Sequence, residues 1–274
     1  MALVPFPGQA PDRGPDDLDD APDREDLETG GKMSFLEHLD ELRKRIIRVV
    51  LFILAGFLIC AFFADELFAF IMVPMQAMLT PGQTLIYTNP TEAFILYIKI
   101  ALMGGLVLAA PGVMSQVWLF IAPGLYAQEK RMAIPFVLMS SFFFVLGAAF
   151  AHYIVFPMAW KFFVSFTNDY LTFMPRIEPA FSLYLRLLLA FGLVFQMPTI
   201  VLFLARMGVL TARFMIKNFK YAILLIFIIS AVATPDASPV TQLAMAGPMI
   251  LLYLFSIGLA WLVGKKKPAA EEEI

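Results

Sequence analysis

The chain has 274 residues, of which 60% are hydrophobic and 15% charged, and its formal net charge at pH 7 is -2. Soluble domains are about 45–50% apolar and about 25% charged, so this composition excludes an ordinary soluble domain and indicates a polytopic helical membrane protein. The single cysteine, Cys60, excludes an internal disulfide.

The N-terminal segment, residues 1–32, is unlike the rest of the chain. Its first 31 residues hold nine carboxylates, many Pro and Gly, and almost no large apolar side chains. Such a segment cannot bury enough surface to offset its ordering entropy, so we expect a disordered acidic extension. A start at Met33 would remove it, and it has no signal-peptide or transit-peptide pattern. The remainder predicts a membrane domain, 33–264, and a charged tail, 265–274.

A lead-in segment, MSFLEHLDELRKR at 33–45, precedes the first apolar run. Ser34 and Glu37 form an S-x-x-E capping box, which predicts that a helix begins here. Its leucines fall on one face and its charges on the other, as in a helix that lies among lipid headgroups. That interpretation explains the leucines and the basic residues. It does not explain three carboxylates, Glu37, Asp40 and Glu41, beside anionic lipid.

Six apolar stretches predict six transmembrane helices, of which the last two, and especially the fifth, are short. The fifth has about 14 residues, a length more typical of re-entrant or buried segments. The predicted spans are Ile46–Ala64, Ala93–Val113, Met132–Phe156, Phe181–Leu204, Tyr221–Thr234 and Val240–Val263.

The distribution of basic residues predicts the orientation of these spans. Lys and Arg cluster before span one, after spans two and four, and at the C-terminus, whereas the opposite loops hold only Lys161 and Arg176. Cytoplasmic loops collect Lys and Arg. We therefore expect span five to cross the membrane and both termini to be cytoplasmic.

The residues needed for catalysis are missing from the sequence. The two histidines, His38 and His152, lie in no metal-binding motif, and there is neither a nucleophile elbow nor a phosphate loop. We therefore expect no enzyme activity, no cofactor, no metal and no nucleic-acid partner. His152 is interpreted as an interfacial polar residue near the outer end of span three.

Polar residues inside the spans are the remaining candidates, because they are costly in lipid. Lys99 and Arg186 lie near the outer ends of their helices, where we expect them to snorkel to the interface. Gln196 lies deeper in span four, and either an interhelical hydrogen bond or contact with a partner would satisfy it. On the cytoplasmic side, Glu41 and Glu129 offer carboxylates at membrane level that suit a guanidinium ligand.

The sequence resembles the TatC family of the twin-arginine protein translocase over about residues 33 to 264. The matching motifs occur in the family's order, and the first two are long and specific. They are FLEHLDELRKRI (35–46), VWLFIAPGLYAQEKR (117–131), VFP (155–157), FGLVFQMP (191–198) and TPDASPVTQLAMAGP (234–248).

The resemblance implies a receptor for twin-arginine signal peptides in a bacterial plasma (inner) membrane. Folded cargo would be passed to an assembly with TatA/TatB-type single-span partners, driven by the proton-motive force. The resemblance also implies contacts with membrane lipids and a homo-oligomer within the complex. A secondary transporter or channel for a small solute is the alternative, and it would need a polar site near the midplane.

The resemblance implies roles for particular residues. The carboxylates that contact the twin arginines match Glu41 and Glu129, supported by Arg43, Phe120, Pro123, Leu125 and Tyr126. Partner helices would dock near Gln196, Thr234 and Gln242, and Pro74 and Asp236 would be structural residues of the outer loops. The sequence departs from the family at Ser238, where an Asp is usual, and at Leu254, where many relatives have Glu. Whether Asp236 takes over from the missing Asp is left open.

Overall fold

The computed structural model describes residues 35–77, 84–121, 133–168, 170, 173–233 and 239–263, which are almost entirely helical. The predicted extension and tail, 1–32 and 265–274, lie outside these ranges. Five apolar stretches are long enough to cross a membrane, and two shorter apolar helices accompany them. The predicted class, an all-helical polytopic membrane protein, is confirmed.

The helices are numbered in chain order. They are α1 (Phe35–Phe62), α2 (Ala64–Gln76), α3 (Pro90–Leu108), α4 (Ala110–Ile121), α5 (Ala133–Phe150), α6 (Phe156–Val164), α7 (Ile177–Val194), α8 (Met197–Arg206), α9 (Ala212–Lys217), α10 (Phe219–Ala233) and α11 (Pro239–Val263). A π-helical turn, Ala151–Val155, joins α5 to α6. The structure divides into two units after Leu42, inside α1, and the packing below is that of the second unit.

The predicted spans correspond to these helices with differences in length, among them span three, which continues past Phe156 to Val164 through α6. Span two continues to Ile121 because α4 follows α3 after one residue. The fifth span, α10, has 15 residues and is short as predicted. The last helix, α11, has 25 residues, so the expectation that it is also short needs correction.

Prolines account for several interruptions within the long spans. Pro111 follows the break between α3 and α4, Pro157 follows the π-helical turn, and Pro198 follows the break between α7 and α8. Proline has no N–H to donate to the carbonyl four residues earlier, and its ring crowds that turn. The spans are therefore interrupted at these positions, and each interruption lasts only a few residues.

Helix α7 lies at the centre of the main core. Phe181, Leu187 and Phe191 are at most 2% exposed and pack among buried residues of α2, α3, α6 and the π-helical turn. Aromatic rings add ordered contacts, including Phe150 against Phe191 with centroids 5.6 Å apart. The core is thus built around one span.

Helix α2 lies between the first two predicted spans, where the sequence predicts no helix. Asp65 and Glu66 occupy its first turn, where the helix dipole favours negative charge. Ile71, Met72 and Met75 are buried on one face. This i, i+1, i+4 pattern is the sequence signal that could have identified the helix. Pro74, predicted as a structural residue of an outer loop, lies inside α2 and is half-buried.

Helices α1 and α3 approach each other closely at a pair of glycines. A Cβ at Gly56 would overlap the carbonyl oxygen of Gly105, and a Cβ at Gly105 would overlap the backbone of Phe57. Small residues allow this backbone contact, which is a common way for membrane helices to associate. The α1–α3 contact therefore requires glycine at both positions.

Candidate functional site

The lead-in segment is helical from Phe35 and forms the first part of α1. Glu41 is half-buried and Arg43 is exposed. Residues two apart point about 200° apart around a helix, so these two side chains do not share a face. Asp40, Glu41, Lys44 and Arg45 all have interaction partners in the structure. Asp40 and Glu41 are therefore engaged in interactions in this structure.

The second part of the predicted peptide site belongs to the segment between α4 and α5. Pro123, Leu125, Tyr126 and Glu129 lie outside the described residues. Phe120, in the last turn of α4, is described and half-buried. The structure therefore does not test whether the predicted site residues come together.

A polar and aromatic cluster holds α4, α5 and α8 together on the side of that segment. The indole Nε1 of Trp118 donates to Ser140 Oγ at 2.6 Å, and Gln196 Nε2 donates to the Ser140 carbonyl at 3.0 Å. The Trp118 ring stacks on Phe136 with centroids 4.9 Å apart and meets Phe203 edge-on at 4.8 Å. This cluster anchors the two helices from which the Glu129 segment emerges.

Gln196 makes one of its two predicted kinds of contact. Its side chain is 8% exposed and bonds to another helix, so it acts as an interhelical hydrogen-bond donor. A role of Gln196 in partner docking stays a prediction. Sequence reasoning did not identify Ser140, whose hydroxyl and carbonyl both serve this cluster.

The α10–α11 pair is the other predicted docking region. Gln242 Nε2 donates to the Phe227 carbonyl at 3.0 Å, and Ser230 Oγ donates to the Gln242 carbonyl at 2.8 Å. These bonds join the end of α10 to the start of α11. Thr234 and Asp236 lie outside the described residues.

Two ion pairs join α3 to the start of α7, one from Glu92 in the first turn of α3 and one from Lys99 in its third turn, at what we call the outer end of the bundle. Arg176 Nη2 lies 2.7 Å from Glu92 Oε1, and Lys99 Nζ lies 3.0 Å from Glu178 Oε1. Thr88 and Asn89 also donate to Glu92, and Ser182 donates to Glu178. Backbone bonds between Ile86 and the segment 175–177 align the two helix starts. Lys99 is thus an ion-pair partner of Glu178, a contact that was not predicted, and its snorkelling to the interface stays a prediction.

His152 differs from its predicted position at the interface. It is 4% exposed in the π-helical turn, and its Nδ1 lies 3.2 Å from the hydroxyl of Tyr184. Its ring stacks on Phe70 of α2 with centroids 4.4 Å apart. The prediction of an interfacial residue was wrong because α2, which covers this histidine, was not expected.

Comparison with known proteins identifies relatives along most of the chain. The family model "TatC: Sec-independent protein translocase protein (TatC)" matches residues 37–248. A protein named Sec-independent protein translocase protein TatC from Desulforapulum autotrophicum is 42% identical over 88% of this chain and 89% of its own length. The protein of that name from Koribacter versatilis is also 42% identical, over 88% of this chain and 90% of its own length.

Solved structures agree with these sequence relatives. The crystal structure of the twin arginine translocase receptor TatC superposes with a TM-score of 0.73 at 40% identity, covering 83% of this chain and 99% of that chain. A second crystal structure of that receptor gives a TM-score of 0.74 at 39% identity. The likeness thus covers both the sequence and the three-dimensional arrangement.

Proposed function

Because the chain belongs to the TatC family of Sec-independent protein translocase proteins, we propose that it recognises twin-arginine signal peptides of folded precursor proteins. Members of this family are translocase subunits, not enzymes. The observation that carries the proposal is the family match over 37–248, which includes the positions of Glu41 and Glu129. Membership also speaks against the alternative of a small-solute transporter.

The proposed recognition is electrostatic and directional. Glu41 and Glu129 each offer a carboxylate to a guanidinium group, and such pairs are bidentate and geometrically specific. A lysine ammonium keeps the charge but lacks the planar fork. A twin-lysine peptide should therefore bind more weakly than a twin-arginine peptide. Arg43, Phe120, Pro123, Leu125 and Tyr126 are proposed to shape the same surface.

The cluster around Ser140 supports this proposal from the structural side. Binding groups are most effective when rigid elements hold them in place. The hydrogen bond of Trp118 to Ser140 connects α4 with α5, on either side of the segment that contains Glu129, and the bond of Gln196 to the Ser140 carbonyl ties α5 to the residue that precedes α8. The apolar part of the signal peptide is proposed to lie in a groove between helices.

The proposed assembly places the protein in the bacterial plasma membrane with both termini cytoplasmic. TatA/TatB-type single-span proteins are the proposed partners, docking near Gln196, Thr234 and Gln242, with membrane lipids and further copies of this chain in the complex. Proton-motive force is proposed to drive export. The short helix α10 is the element where a partner helix is expected to compensate for limited length.

The test is cross-linking of the full-length protein to a twin-arginine signal peptide. Glu129→Ala should weaken the cross-link and Glu129→Lys should abolish it, because the reversed charge repels a guanidinium group. A twin-lysine peptide serves as the peptide control. Glu66→Lys, an equal charge change at an exposed position of α2, should bind like the unchanged protein.

A second measurement on the same variants separates loss of the site from loss of the fold. Glu129→Lys should remain in the membrane and should still co-purify with a single-span partner. If Glu129→Lys binds the twin-arginine peptide undiminished, the proposed role of this carboxylate is wrong. If Glu66→Lys loses binding equally, the effect is a general response to charge and not recognition.

A further inference from the structure

A cavity of about 490 Å³ lies between α6 and the first three turns of α7, at the outer end of the bundle. Phe163, Phe173 and Leu183 contribute apolar wall, and Arg176, Glu178 and Arg186 contribute charge. It lies far along the chain from the segments assigned to peptide binding, so the peptide proposal does not account for it.

The charges around this cavity do not cancel. Arg176 is paired with Glu92, and Glu178 is paired with Lys99, so these four charges offset one another. Arg186 is exposed, and its side chain makes no ion pair or hydrogen bond within the described part of the chain. An unpaired cation within a membrane-spanning helix is costly. The cavity therefore has one surplus positive charge and favours an anion.

A second unpartnered donor belongs to the same wall. Trp160 lines the cavity and is 2% exposed, and its indole Nε1 has no hydrogen-bond partner among the described residues. Its ring is held by Phe156, stacked with centroids 5.4 Å apart, and by Phe173, edge-on at 5.4 Å. Buried polar groups usually have a partner. A bound group with an acceptor oxygen would supply it.

The face of α7 that carries Arg186 indicates what kind of anion fits. Ser182 lies one turn before Arg186 on that face, towards the outer end, and Leu189 and Leu193 lie one and two turns beyond it. Leu193 is 64% exposed and so faces the hydrocarbon, whereas Leu189 is half-buried and packs partly against the main core. A polar half followed by a partly exposed apolar half matches a headgroup joined to an acyl chain. A free inorganic anion would not use the apolar part.

From these observations we propose that the cavity binds a net-negative phospholipid through its phosphate. Arg186 donates to the phosphate oxygens, the indole N–H of Trp160 is the second donor, and an acyl chain lies along Leu189 and Leu193. The single surplus charge matches a headgroup with a net charge of one, such as phosphatidylglycerol. A zwitterionic headgroup brings its own cation and leaves that surplus uncompensated.

The test is native mass spectrometry of the purified full-length protein in detergent, titrated with phosphatidylglycerol or phosphatidylcholine. Phosphatidylglycerol should bind more tightly. Arg186→Gln should weaken its binding about tenfold or more, since a charge-assisted hydrogen bond is lost. Arg186→Lys keeps the charge and should retain part of the affinity, and Trp160→Phe keeps the ring but should bind more weakly than the unchanged protein. Arg213→Gln, at an exposed arginine of α9, is the matched control and should change nothing.

Several results would overturn the proposal. Equal binding of the two lipids, or equal phosphatidylglycerol binding by the unchanged protein and Arg186→Gln, excludes a selective anion site. Displacement of bound lipid by an equal concentration of inorganic phosphate shows that the site takes free phosphate. Unchanged affinity in Trp160→Phe removes the indole from the site. If Arg186→Gln does not elute as a folded species, the Arg186→Lys and Trp160→Phe comparisons decide the outcome.

Discussion

Two membrane-spanning segments of nearly equal hydropathy differ greatly in their burial. In an apolar 18-residue stretch of Leu39–Phe62, the span of α1, 11% of residues are buried, whereas 56% are buried in such a stretch of Ile177–Arg206, the span of α7 and α8. Hydropathy explains why both segments insert into the membrane. It does not determine which helices they pack against, because lipid tails are as apolar as leucine. Side-chain packing and interhelical hydrogen bonds determine which helices associate.

This difference in burial corresponds to different structural roles of α7 and α1. α7 brings together the main core, both outer ion pairs and the wall of the cavity. α1 exposes apolar side chains, among them Val50, Leu54 and Leu58. Its tight contact is the glycine approach to α3. Substitutions in α7 should therefore act on stability, and most substitutions in α1 should act on contacts with lipid or partners.

The largest expected effect is the loss of a core ring from α7. Phe191 is 1% exposed, and Phe191→Ala should lower the free energy of unfolding by about 3–5 kcal/mol. Phe62 of α1 is 87% exposed, and Phe62→Ala should change it by less than about 0.5 kcal/mol. Denaturant unfolding of both variants in mixed micelles measures the difference. Equal changes would mean that the burial contrast has no energetic consequence.

An intermediate effect is expected at the close backbone approach between α1 and α3. Gly105→Ala should destabilise the protein by about 1–3 kcal/mol, because the added Cβ forces α1 and α3 apart. Gly258 of α11 has open space around it. Gly258→Ala should be neutral or stabilising by up to about 1 kcal/mol, since alanine favours the helix. Opposite signs in the unfolding free energies support the close approach, and a stabilising Gly105→Ala would refute it.

The smallest effect concerns a single interhelical hydrogen bond. Gln196→Leu removes the donor to the Ser140 carbonyl, and such bonds in membrane proteins contribute about 1 kcal/mol. Gln76, an exposed residue at the end of α2, provides the matched change Gln76→Leu, which should leave the unfolding midpoint in place. If Gln196→Leu also leaves it in place while reducing co-purification of a single-span partner, docking would be the main role of Gln196.

Local patterns predicted the parts of this fold that depend on neighbouring residues. The membrane class, the positions of the spans and the short fifth helix follow from runs of apolar residues, whose length is set by the bilayer. The helical lead-in was predicted from its amphipathic pattern. The candidate residues of the peptide site came mainly from motif resemblance, and only part of them lies in the described structure.

The failures share one cause, because each involves residues far apart in the chain. The sequence does not predict helix α2. It therefore also does not predict the burial of His152 under Phe70 of α2. The ion pair of Lys99 was not predicted because its partner, Glu178, lies 79 residues away. A pattern that repeats over a few residues cannot reveal a contact between residues so far apart in the chain.

The sequence by itself determined that this chain crosses a membrane several times, where it crosses, and to which family it belongs, since these depend on hydropathy, helix length and contiguous motifs. Only the tertiary structure decided which of two equally apolar spans is buried, which charges are neutralised and which one is left over. In lipid those outcomes depend on the fit of helix surfaces and on long-range polar contacts. Arg186 is an example. Its charge is identified as unpaired only because the structure shows Arg176 paired with Glu92 and Glu178 paired with Lys99.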